Sequence, residues 1–90
     1  MIRLTRANGQ ALYVNPEHLI EVGYDEDYKQ TLVSTLAEGW YIQESPSEVA
    51  RKVLEWRLAM IDYHHDIPSV KTKAMAELVR LAGLEEPEHD

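Results

Sequence analysis

Ninety residues with a formal net charge of −7 allow one domain around one modest core. Cysteine is absent, which excludes a disulfide, a zinc–thiolate site and a cysteine nucleophile and fits a reducing compartment. No apolar run resembles a signal peptide or is long enough to span a bilayer, so a cytoplasmic protein with no membrane span is expected.

The acidity is local. Asp25, Glu26 and Asp27 form one run, and Glu85, Glu86, Glu88 and Asp90 end the chain; without them nine acids face nine bases. The body is therefore formally neutral and shows no clustered basic face, so no nucleic-acid partner is expected.

In chain order, residues 2–6 and 11–14 flank Asn8-Gly9, a dipeptide that tolerates the positive φ of a tight hairpin. A two-residue loop there pairs Ala7 with Gln10 and Arg6 with Ala11. One strand face then carries Ile2, Leu4, Arg6, Ala11 and Tyr13, the other Arg3, Thr5, Leu12 and Val14. Asn15-Pro16 interrupts the sheet, because proline has no N–H for a ladder. A strand is expected at Leu19–Val22, a hairpin loop at GYDEDY, and further strands at KQTLVSTL and WYIQE with a turn at Glu38-Gly39.

SPSE follows, with Ser45 as N-cap, Pro46 at the first helical position and Glu48 three residues after the cap. The helix is expected from Pro46 to about Tyr63. At ~100° per residue, Val49, Val53, Trp56 and Met60 form one stripe, and Ala50, Leu54, Leu58 and Ile61 a second. A helix with two apolar stripes has two surfaces to bury. The sheet takes one; a last helix from Ser69 to Ala82, ended by Gly83, is expected to take the other, with a subunit partner as the alternative, in its place or in addition.

The reading is α+β. Residues 1–84 form a single domain, with a small antiparallel meander of four to five strands over 1–44 and a two-helix antiparallel hairpin over 45–84. Residues 85–90 form an acidic disordered tail. The doubly apolar helix and the mixed hairpin faces predict a dimer or higher homo-oligomer.

Catalytic signals are sparse. DYHHD holds imidazoles and carboxylates, but adjacent helical residues point ~100° apart, so His64 and His65 do not readily share an ion. No nucleophile elbow or glycine-rich phosphate loop is present. Neither an enzyme nor a bound metal or other cofactor is expected. Arg6 has two readings: an ion pair or carbonyl contact at the hairpin edge, or an anion contact with Arg3 or Trp40 nearby. The candidate ligand- or partner-binding residues are therefore Arg3, Arg6 and Trp40.

Taken together, MIRLTRANGQALYVNPEHLIEV and YIQESPSEVARKVLEW resemble the small flagellar FlbD family over residues 1 to about 57. The resemblance rests on Ile2, Leu4, Thr5, Arg6, Asn8, Gly9, Asn15, Pro16, Leu19, Ile20, Glu21, Glu44, Ser45, Glu48 and Val49. It implies a non-enzymatic accessory protein that supports motor power or swarming by contact with another protein. Typical members stop soon after the first helix and are more basic, so the extra helix and acidic tail are departures. The L-T-R start also resembles the CsrA family of RNA binders, but the Asn-Pro and Leu-Ile-Glu segment and the neutral body argue against that. The alternative is a phage or mobile-element protein of FlbD-like fold that binds a host protein or sequesters an anionic nucleotide signal.

Overall fold

The computed structural model describes residues 1–64 and 67–84; the acidic tail expected at 85–90 lies outside them, as do His65 and Asp66 of the DYHHD cluster. Strand β1 (Ile2–Thr5) turns back into β2 (Ala11–Val14), and a 3₁₀ turn at Pro16–His18 leads on to the second sheet. There β3 (Glu21–Asp25), β4 (Gln30–Ser34) and β5 (Gly39–Ile42) form an antiparallel meander. Helices α1 (Pro46–Tyr63) and α2 (Pro68–Leu81) complete the α+β fold. The five strands thus make two sheets, of two and three strands, rather than one continuous meander. They meet at a bridge between Arg6 and Ile42, where Ala7 N–H donates to Tyr41 O at 3.0 Å and Gln43 N–H to Thr5 O at 2.8 Å.

The first hairpin differs from expectation by one residue. Ile2 pairs with Val14, Leu4 with Leu12 and Thr5 with Ala11, because the loop has three residues, Ala7 to Gly9. Gly9, at φ +92°, makes the third position available, and Arg6 N–H closes the loop on Gln10 O at 2.8 Å. A one-residue change in register moves a whole strand to the other face. Leu12 and Val14 therefore share a face with Ile2 and Leu4, and Tyr13 moves to the face of Arg3. Downstream, β3 covers Glu21–Asp25 instead of Leu19–Val22, since the 3₁₀ turn holds the chain through His18.

The core joins Ile2 and Leu4, Val14, Val33, Ile42, Val49, Trp56 and Leu81, so every layer contributes. Helix α1 begins where the capping residues place it, with Ser45 Oγ accepting from Glu48 N–H at 3.2 Å. Glu44, just before the cap, fastens the helix entry to β1. Its carboxylate accepts from Thr5 N–H at 2.9 Å and Thr5 Oγ1 at 3.1 Å, while Lys52 Nζ stands 3.9 Å away and donates to Arg3 O at 2.9 Å.

Helix α2 starts one residue before its expected position, with Pro68 in its first turn. It ends in a Schellman motif: Gly83, at φ +69°, donates to Arg80 O at 2.9 Å and Leu84 N–H to Val79 O at 3.0 Å. α2 does not cover the second stripe of α1. It lies along the Glu55, Ala59 and Asp62 side, where the small side chains of Ala59 and Ala74 are buried and Arg80 reaches Glu55 at 2.7 Å. Leu54, Leu58 and Ile61 remain exposed.

Candidate functional site

A groove of about 630 Å³ runs over the outer end of the sheets, lined by Met1, Tyr13, Ile20, Leu36 and Trp40 with Glu17, His18 and Glu38 at its rim. Local chemistry places each wall. Asn15 Oδ1 caps the 3₁₀ turn by accepting from Glu17 N–H at 3.0 Å, which presents Glu17 and His18 to solvent. Ile20 follows, exposed but tied to β4 through its N–H to Ser34 O at 2.9 Å. In the β4–β5 turn, Thr35 Oγ1 accepts from Ala37 N–H at 3.2 Å and Glu38 N–H at 3.3 Å. That turn projects Leu36 into solvent, 96% exposed. Trp40 opposes Val33 across the ladder and is half-buried beneath the groove. The set offers apolar anchoring surface under two rim carboxylates, which suits an apolar segment flanked by basic side chains.

The structure separates the three residues singled out from sequence. Trp40 lines the groove. Arg3 pairs with Tyr13 on β2, but its stem lies against the end of α2: a Cβ added at Gly83 would lie 3.2 Å from Arg3 Cβ. Arg6 is half-buried at the bridge between the sheets. Among the described residues, neither guanidinium makes an ion pair or a side-chain hydrogen bond. Neither lines the groove that holds Trp40. Leu36 and Ile20 were expected inside strands, at the end of KQTLVSTL and in Leu19–Val22; β4 instead stops at Ser34 and β3 begins at Glu21, which leaves both side chains exposed.

Electrostatically, the acidic β3–β4 loop is held by its own hydrogen bonds. Tyr41 Oη donates to Asp25 Oδ2 at 2.8 Å, and the other oxygen accepts from Asp27 N–H at 2.9 Å and Tyr28 N–H at 3.2 Å. The tyrosine hydroxyl, with the Tyr28 amide after it, holds the Asp25 carboxyl below its ordinary 3.8, and the same bond raises Tyr41 above its ordinary 10.0. The depressed Asp25 contributes stability that is present above pH 3.8 and is lost as the pH falls through its folded value. The raised Tyr41 contributes stability that is present below pH 10.0 and is lost as the pH rises through its folded value. Tyr41→Phe is expected to return Asp25 toward 3.8 in an NMR pH titration. An unaltered Asp25 titration would show that the hydroxyl does not govern it.

Among known proteins, residues 1–61 match the family model described as FlbD, flagellar and swarming motility proteins. No curated protein and no solved structure matches the chain.

Proposed function

The chain belongs to the FlbD family of flagellar and swarming motility proteins, and from that membership we propose that it is a non-enzymatic accessory protein that acts by holding a protein partner in the groove over its sheets. One observation carries this reading: Ile20 and Leu36 stand exposed and line one groove with Trp40, all within the residues that match the family. The second cleft, of about 500 Å³ between α1 and α2, draws on Ile67, Val70, Lys73, Ala74 and Glu77, beyond that match. A role common to the family is better served by the groove. Apolar side chains held out of the core cost solvation free energy and are best accounted for by a partner that covers them.

The test is complementation in a motile bacterium lacking its own FlbD-family protein. The parent chain is expected to restore swarming, and Leu36→Glu combined with Ile20→Glu to abolish that restoration while the melting temperature stays within ~3 °C of the parent, as for exposed substitutions. Full swarming by the double variant would remove the groove from the reading. Failure of the folded parent to restore swarming would remove the motility role itself.

A further inference from the structure

We propose that the outer face of α1 is the interface of a homodimer in which two copies of the helix pack antiparallel. Leu54, Leu58 and Ile61 are 57%, 54% and 67% exposed. On a helical wheel they lie roughly 140° from the stripe of Val49, Val53, Trp56 and Met60 that meets the core. The solvent side of a surface helix is ordinarily polar, so this face is not explained by the fold of one chain. Leu58 also lines the cleft between α1 and α2 with Ile67 and Val70, which continues the apolar surface onto the second helix.

The charges select a second copy as the occupant. Arg51 and Asp62 sit on the same flank of the stripe, both exposed, and neither makes an ion pair or side-chain hydrogen bond among the described residues. They lie about 16 Å apart along the axis at 1.5 Å per residue. The midpoint between them falls at the level of Trp56, within half a residue of the midpoint between Leu54 and Leu58. Two antiparallel helices bring like flanks together, so one two-fold axis at that level, on the outer face, satisfies both sets at once. Arg51 then meets the partner's Asp62, twice by symmetry, while Leu54 meets the partner's Leu58. Parallel packing would instead set Arg51 against the partner's opposite flank at its own level, and leave it about 16 Å along the axis from the partner's Asp62. Arg57, on the opposite flank, meets its own copy in the antiparallel pair; it is exposed, where solvent and salt screen like charges. Glu55, on the Arg51 flank, is already engaged by Arg80. A single helix pair is small beside the ~1,200 Å² of a stable specific interface, so dissociation in the micromolar range is expected.

The test is analytical ultracentrifugation of the full chain across ~1 to 100 µM, with circular dichroism of each variant as a folding control. The parent is expected to dimerise, and Leu58→Glu to be monomeric with an unchanged spectrum. Arg51→Glu and Asp62→Arg should each raise the dissociation constant roughly tenfold, and the combined Arg51→Glu/Asp62→Arg variant should recover the parent value. A parent that stays monomeric at ~100 µM overturns the proposal, as does a Leu58→Glu chain that still dimerises. A charge swap that fails to recover overturns the antiparallel pairing.

Discussion

Trp56→Ala is expected to lower stability by ~3–5 kcal/mol and the melting temperature by more than ~10 °C. The indole is only 8% exposed and belongs to the cluster that joins Ile2, Leu4, Val33 and Ile42 of the sheets to Val49 and Leu81 of the helices. Alanine leaves a cavity where three elements meet, and close-packed neighbours relax only partly into such a space. A domain of this size has a total stability of about 5–13 kcal/mol, so one truncation removes a large part of it. Thermal melts by circular dichroism decide the matter. A variant melting within a few degrees of the parent would mean that the indole packs against a pliable margin rather than the core.

The start of α1 was readable because capping is local: Ser45, Pro46 and Glu48 carry their own hydrogen-bonding instructions over four residues. The α+β order was readable for a related reason, since strand and helix periodicities differ along the chain. The register of the first hairpin was not. Asn8-Gly9 signals a turn equally well in a two- or a three-residue loop, and the choice rests on how Arg6 meets both Gln10 and Ile42. Tertiary pairing settled it.

The two stripes of α1 were visible as periodicity, but which neighbour meets which stripe was not. The position of α2 depends on the close approach allowed by Ala59 and Ala74 and on Arg80 reaching Glu55, none of which periodicity describes. The candidate site shows the same division. Trp40 was marked by its size and chemistry, whereas Leu36 and Ile20 become anchors only because a turn and a 3₁₀ segment hold them away from the core. Their hydrophobicity is ordinary. Their placement is not.

A chain ending at His64 is expected to lose its cooperative fold, although it retains every residue that matches the family. α2 lies wholly beyond that match, in the position of an appendage. Its packing argues otherwise. Leu81 is buried within the central cluster, Leu78 packs against that cluster, and Ala74 and Ala82 are buried. Gly83 then closes on the stem of Arg3. Each leucine side chain buried contributes ~1.5–3 kcal/mol, so the two leucines with their smaller neighbours account for roughly 4–8 kcal/mol. That is comparable to the whole stability of a small domain. The truncated chain is therefore expected to show a broad, non-cooperative melt and poor dispersion of its amide NMR signals. Because α2 covers the Glu55, Ala59 and Asp62 side of α1 and leaves Leu54, Leu58 and Ile61 exposed, it adds to the core without covering that apolar face. A sharp melt from the truncated chain, close to that of the parent, would show instead that residues 1–64 form a self-sufficient core on which α2 rests as an addition.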